Sequence, residues 1–239
     1  MRRRSADPTE KTNENGLLPV LILLLLPAIA VFTGLIVLNS IFATYILFYG
    51  MVCISVPLLD QVVFHSQTMS EFFRYIGFVN IRKSLLPGLI IGATFLIAIY
   101  LFFMVFSRQL IDTSSMTETL NRWDLDSGNL FVFLFMMIVG NSILEEIYWR
   151  GYVFAGLRKL TGPRNTVVLT ALFYTSYHLI TTITLFSVAD GLLLSASIFL
   201  VGAFWACLRI KYESIIPAVI SHLLADLGLM LIYLKYLAV

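Results

Sequence analysis

Charged residues are scarce in this chain. Only 13% of its 239 residues are Asp, Glu, Lys or Arg, whereas 59% are hydrophobic. A typical globular domain carries about 25% charged residues. Several apolar runs are about 20 residues long, which is the length that an α-helix needs to cross a bilayer. The shortage of charge therefore excludes an ordinary soluble domain and predicts an integral membrane protein of the all-α class, a polytopic bundle of transmembrane helices.

Cysteine and several catalytic motifs are also missing. Cys53 and Cys207 are the only two cysteines, and both lie in apolar stretches. We therefore expect free thiols and no disulfide framework. No G-x-S-x-G turn is present, and neither cysteine is near a histidine in sequence, which argues against a side-chain nucleophile. The zinc-protease motif H-E-x-x-H is absent too.

The lengths of the apolar runs predict about seven spanning helices. Their approximate ranges are 17–38, 40–59, 85–106, 129–150, 166–183, 189–208 and 214–238. Residues 1–16 are polar and predict a flexible cytoplasmic tail. Residues 17–239 then form a single transmembrane domain, with a motif-bearing core at 129–239. Residues 60–84 mix aromatic and charged side chains, which is typical of an amphipathic segment lying on the membrane surface.

Positive charge predicts the orientation in the membrane. A cytoplasmic N-terminus leaves only Arg108, Arg122 and Lys235 outside, among 16 Lys and Arg residues. The positive-inside rule therefore predicts an N-terminus in the cytoplasm and a C-terminus outside, in the cell membrane if the source is prokaryotic. The net charge of +2 reflects this topology and indicates no nucleic-acid partner.

The first polar cluster within the apolar segments is Glu145, Glu146 and Arg150. Each ionisable group inside a membrane helix costs roughly 2.5–3.5 kcal/mol on insertion scales, so such groups are usually functional. Glu146 and Arg150 are i,i+4 neighbours on a helix, while Glu145 points about 100° away from Glu146. We hypothesise that Arg150 holds Glu146 and that Glu145 faces a cavity. An ion network that only anchors the helix is the alternative.

Two further clusters contain histidine. His178 lies in the fifth predicted span, and His222 and Asp226 are i,i+4 neighbours in the seventh. A packing histidine and an interhelical clamp are the alternatives for these two clusters. Counted from the turn at 161–165, the depths of Glu145 and His178 differ by only about 5 Å. The clusters are therefore predicted to meet in one cavity that opens towards the cytoplasm.

This residue set supports hydrolysis by two routes. A carboxylate and a histidine, Glu145 and His178, can activate a water molecule by accepting its proton. His222 with Asp226 can then stabilise an oxyanion, provided that the donor group is protonated. Alternatively, Glu145, His178 and His222 can form a Zn²⁺ ligand shell. The residues alone leave both routes open.

The three motifs together resemble one known family. They are Glu145-Glu146-x-x-x-Arg150, Tyr174-x-x-x-His178 and His222-x-x-x-Asp226. This set, in this order on separate helices, is similar to the CPBP family of CAAX prenyl endopeptidases and bacteriocin-processing proteins, also called the ABI family. The resemblance covers about residues 129–239.

The resemblance implies an intramembrane protease that acts on a membrane-associated peptide or protein. It implies that Glu145 and His178 activate the attacking water and that His222 and Asp226 stabilise the oxyanion, with Glu146 and Arg150 in support. No firm cofactor is implied, and zinc stays open. Asp226 departs from the CAAX proteases proper, which have Asn there. An ionised carboxylate cannot donate a hydrogen bond, so Asp226 must be protonated or must orient His222.

Functions of other classes are also compatible with a polytopic membrane protein. In a non-catalytic protein of the same fold, with an immunity or scaffold role, the polar residues would serve only to pack the helices. A transporter is disfavoured, because the two halves of the chain show no internal repeat.

Overall fold

The computed structural model describes residues 8–125 and 128–237, and this part of the chain is helical without a β-strand, as predicted. The elements are α1 (Pro8–Val31, continued by a π-helical turn, Phe32–Val37), α2 (Ile41–Phe64), α3 (Met69–Tyr75), α4 (Ile81–Leu110), α5 (Thr113–Arg122), α6 (Leu130–Leu185), α7 (Val188–Tyr212) and α8 (Ile216–Tyr236). Six of the described segments, namely α1 with its turn, α2, α4, α6, α7 and α8, are long and apolar enough to cross a membrane. The polytopic bundle is therefore confirmed.

Helix α6 contains two of the predicted spans. Its 56 residues would be about 84 Å long in a straight helix, far more than a bilayer needs. Gly162 interrupts the helix with φ 77° and ψ 170°, a conformation that glycine adopts without steric cost. The guanidinium carbon of Arg150 lies 4.3 Å from the ring centre of Tyr174. The chain therefore reverses at Gly162, and the arms 130–161 and 163–185 correspond to the fourth and fifth predicted spans.

The segment before α4 differs from its prediction. Residues 59–64 continue α2, because the chain has no helix breaker there, and α2 ends where Ser66 takes a positive φ of 53°. Of the predicted surface segment 60–84, only the short α3 is a separate helix. A capping box starts α3, in which the Thr68 backbone N–H and hydroxyl donate to Glu71 and hold the pKa of Glu71 below its ordinary value.

The predicted N-terminal tail is described only in part, and both predicted free thiols are described. Residues 1–7 of the predicted tail lie outside the described residues, and residues 8–16 belong to α1. Cys53 is buried and Cys207 is exposed, and both are free thiols. The expectation of unpaired cysteines is therefore confirmed.

Helix α8 is the most enclosed of the candidate spans. In its most apolar window 56% of the residues are buried, against 11% for α4. Helix α4 packs on α8 through small residues, which let two helices approach closely. A Cβ atom on Gly92 would lie 2.6 Å from Leu224 Cδ1 and 3.0 Å from Ser221 Cα. Because Ser221 precedes His222, the packing of α4 also positions the polar residues of α8.

This packing predicts that Gly92→Ala destabilises the fold. The added methyl group overpacks the contact with α8, which typically costs about 1–3 kcal/mol. Gly50→Ala is the matched control, because its Cβ would have only the Tyr45 carbonyl oxygen nearby, at 4.0 Å. Thermal unfolding in detergent measures both variants. Equal melting temperatures for the two variants would contradict the close contact between α4 and α8.

Candidate active site

Arg150 and Glu146 form a buried ion pair in the first arm of α6. Arg150 Nη1 donates to Glu146 Oε1 over 2.9 Å, and the two side chains are 1% and 0% exposed. Arg150 Nη2 donates to the carbonyl of Gly202 in α7 over 3.1 Å. The guanidinium also lies over the rings of Tyr174 and Trp205, a cation–π arrangement. Arg150 therefore holds Glu146, as hypothesised, and connects both arms of α6 to α7.

His222 lies between three carboxylates. Its Nδ1 is 3.1 Å from Glu146 Oε1 and, when protonated, donates to it. Its Nε2 is 3.4 Å from Asp226 Oδ2 and 4.0 Å from Glu145 Oε2. The imidazole stacks on the indole of Trp205, with ring centres 4.2 Å apart. This arrangement joins the first and third sequence clusters across the interface between α6 and α8.

Glu145 points away from the Arg150 pair. Its side chain is 2% exposed, and no described residue donates a hydrogen bond to its Oε2. The hydroxyl of Tyr177 lies beside the carboxylate. Oε2 of Glu146 is also without a described donor, but its Oε1 has two partners. A buried carboxylate oxygen without a donor is rare, and a catalytic role is one of the explanations for it.

His178 lies at the edge of this group. Its Nδ1 is 2.9 Å from the Tyr174 carbonyl oxygen, and donation from Nδ1 leaves a lone pair on Nε2. The ring lies between Tyr174 and Tyr177, with centres 4.5 and 4.3 Å away. Among the described residues, His178 forms no ion pair with a carboxylate. It is half-buried, whereas Glu145, His222 and Asp226 are buried.

Two residues of the group were missed by the sequence analysis. Tyr49 of α2 donates its hydroxyl proton to Asn141 Oδ1 over 2.7 Å. Asn141 Nδ2 donates to Asp226 Oδ2 over 2.9 Å and lies 3.4 Å from His222 Nε2. The sequence contained a signal for Asn141, because this residue precedes Glu145 by one helical turn and lies on the same face of the helix. Tyr49 had none, since α2 contains several other aromatic residues.

The arrangement offers no ligand cluster for the zinc alternative. No group of three His, Cys, Asp or Glu side chains in residues 8–125 and 128–237 is arranged to hold a metal ion. Glu145 Oε2 and His222 Nε2 are 4.0 Å apart, and Nδ1 of His178 is directed at a backbone carbonyl, which leaves its Nε2 available.

Removal of Arg150 should destabilise the protein strongly. Arg150→Met keeps much of the side-chain volume but leaves the buried Glu146 without its cation, which typically costs about 3–5 kcal/mol. Arg164→Met is the control, because Arg164 is exposed at the turn between the arms of α6. Thermal unfolding in detergent should show a large decrease in melting temperature for Arg150→Met only. If Arg150→Met unfolds at the same temperature as Arg164→Met, the ion pair does not support the fold.

Comparison with known proteins agrees with the motif analysis. Residues 127–228 match a family model described as type II CAAX prenyl endopeptidase Rce1-like, and the matched range contains every polar residue from Asn141 to Asp226 described above. Searches of curated proteins and of solved structures found no match. Over residues 127–228 the chain is therefore similar to the Rce1-like type II CAAX prenyl endopeptidases, which confirms the resemblance to the CPBP family that the three motifs indicated.

Proposed function

We propose that this integral membrane protein is an endopeptidase that cleaves a membrane-associated peptide or protein with a water molecule activated by Glu145 and His178. The observation that carries the proposal is the buried Glu145 carboxylate. Its Oε2 has no described donor and lies 4.0 Å from His222 Nε2, inside a segment that matches a peptidase family. A carboxylate in this state can accept a proton.

The first step activates the water. Glu145 accepts one proton from the water molecule, whose oxygen then attacks the carbonyl carbon of the scissile peptide bond. His178 accepts the second hydrogen bond of the water through Nε2, which is free because Nδ1 is directed at the Tyr174 carbonyl oxygen. The ion pair with Arg150 keeps Glu146 from competing for this proton.

The second step stabilises the oxyanion that forms on the attacked carbonyl. Fixed hydrogen-bond donors near the developing charge lower the barrier, and removal of one such donor typically costs about 100- to 1,000-fold in rate. His222 supplies the donor when Nε2 carries a proton. Asp226 accepts from Asn141 and lies 3.4 Å from His222 Nε2. These contacts support a role for Asp226 in orienting His222 and give no support to direct donation from its carboxyl group.

The third step releases the products. The carbon–nitrogen bond of the tetrahedral intermediate breaks, and the proton held by Glu145 passes to the leaving nitrogen. Glu145 is thereby returned to its carboxylate form, and the hydroxyl group of the water stays on the new carboxyl terminus. No side chain of the protein forms a covalent bond in this sequence of steps.

The substrate must reach a buried site. Glu145 is 2% exposed and His222 is 3% exposed as side chains, so a peptide can approach only if the surrounding helices separate. Of the four proposed catalytic residues, His178 is the only one that is not fully buried, so we expect the peptide to enter from its side. A prenylated C-a-a-X peptide is the first substrate to test, because the matching family model is described as a CAAX prenyl endopeptidase.

A non-catalytic function is the second candidate. The burial of Glu146, Arg150 and His222 in one hydrogen-bonded group is also what an immunity or scaffold protein would need to hold its helices together. In that case the glutamates contribute to stability and to nothing else.

Glu145→Gln separates these candidates. The substitution preserves shape but removes the proton acceptor, so kcat should fall by at least about 100-fold while the melting temperature stays close to that of the wild type. The assay uses quenched fluorescent C-a-a-X peptides, prenylated and unprenylated, with the protein in detergent. His178→Gln should behave in the same way. His65→Gln is the matched control, because the side chain of His65 is 61% exposed and contacts Asp60, away from the site.

Three other outcomes would count against the proposal. Undiminished cleavage by a folded Glu145→Gln protein would rule out the glutamate as the base. Cleavage that a chelator abolishes and Zn²⁺ restores would favour the metal route. No cleavage by the wild type, together with a large change in stability for Glu145→Gln, would favour the non-catalytic function.

A further inference from the structure

Asn141 connects three helices at the centre of the site. It lies on α6, accepts a hydrogen bond from Tyr49 on α2, and donates one to Asp226 on α8. Its side chain is buried, and each atom of its amide group has a partner. None of the three sequence motifs contains Asn141 or Tyr49.

The Asp226 carboxylate and the Tyr49 hydroxyl together determine the orientation of the Asn141 amide. A phenol has one proton to donate, and here it is directed at Asn141 Oδ1 over 2.7 Å. The amide nitrogen then faces Asp226 Oδ2, an acceptor, at 2.9 Å. The reverse orientation would place the amide oxygen against the carboxylate oxygen, two acceptors without a proton between them. The contacts therefore favour a single orientation.

The amide nitrogen of Asn141 contacts both His222, the proposed oxyanion donor, and Asp226, which is proposed to orient His222. It donates to Asp226 and also lies 3.4 Å from His222 Nε2, the same nitrogen that faces Glu145 at 4.0 Å. Because the amide carries no net charge, it fixes the carboxylate of Asp226 without neutralising it. A shift of Asn141 would change the direction in which Asp226 holds the His222 ring.

We infer that Asn141 is a positioning residue of the hydrolytic site, acting through Asp226 and His222, and that Tyr49 orients its amide. The inference rests on the proposed function, and it adds two residues from outside the motifs to the machinery of that site. A purely structural role would affect folding alone. A positioning role affects the rate of the chemical step in protein that is fully folded.

The test compares variants that all retain Glu145. Tyr49→Phe removes only the hydroxyl, and Asn141→Leu removes the amide at similar volume. We expect both to lower kcat with little change in KM, by about 10- to 100-fold for Asn141→Leu, because small misplacements in an active site have effects of this size. Tyr45→Phe is the matched control. It removes a buried hydroxyl one turn away on α2 that has no described hydrogen-bond partner, and it should leave kcat unchanged.

A second experiment exchanges the polar side chains at positions 141 and 226. Asn141→Asp places two carboxylates face to face and should reduce kcat severely. The double variant Asn141→Asp with Asp226→Asn restores one amide and one carboxylate and should recover part of the loss. Melting temperatures in detergent, measured on every variant, identify any that fail to fold, and Tyr49→Phe keeps the test decisive if Asn141→Leu is among them.

The inference is overturned if folded Tyr49→Phe and Asn141→Leu proteins cleave at the wild-type rate. It is also overturned if the double variant is no better than Asn141→Asp alone, or if the losses appear in KM and not in kcat. Failure of the proposed function would be seen in a different variant. A folded Glu145→Gln protein, in which Tyr49, Asn141 and Asp226 are unaltered, would then cleave at the wild-type rate.

Discussion

The structure depends on the cost of placing charge inside a membrane helix bundle. Glu146 is fully buried, and an isolated buried carboxylate would be strongly unfavourable. Arg150 and His222 both contact its Oε1, so one oxygen atom joins α6 to α8. Arg150 in turn reaches the Gly202 carbonyl in α7. The contacts that accommodate this one buried charge therefore link three helices.

The same requirement explains why the two glutamates differ. Neighbouring positions on a helix point about 100° apart, so one partner network cannot satisfy both side chains. Glu146 is directed at the Arg150 guanidinium, whereas Glu145 lies beside the hydroxyl of Tyr177 and Nε2 of His222. In the proposed mechanism, the ion pair gives Glu146 a structural role, and the geometry of the helix leaves Glu145 available for chemistry. In this account, stability and reactivity arise from two adjacent residues of one helix turn.

Local spacing accounts for what could be predicted from the sequence. The apolar runs indicated the helices, and the i,i+4 spacing of Glu146 with Arg150 and of His222 with Asp226 indicated two contacts that the structure contains. Contacts between distant parts of the chain could not be predicted, because no periodicity reports them. The bond from Tyr49 to Asn141 and the approach of Arg150 to Gly202 are of this kind. The sequence predicted that the second span ends at residue 59. In the structure α2 continues to Phe64, because residues 59–64 contain no helix breaker.

The most direct test of the central claim is an experimental structure of the Glu145→Gln protein with a bound membrane peptide. The account predicts that the scissile carbonyl oxygen lies about 2.7–3.1 Å from a donor of His222, the distance of an oxyanion contact. It also predicts that the carbonyl carbon faces the side chain at position 145. A peptide bound elsewhere, with none of its atoms beside His222, would contradict the assignment of these residues to hydrolysis.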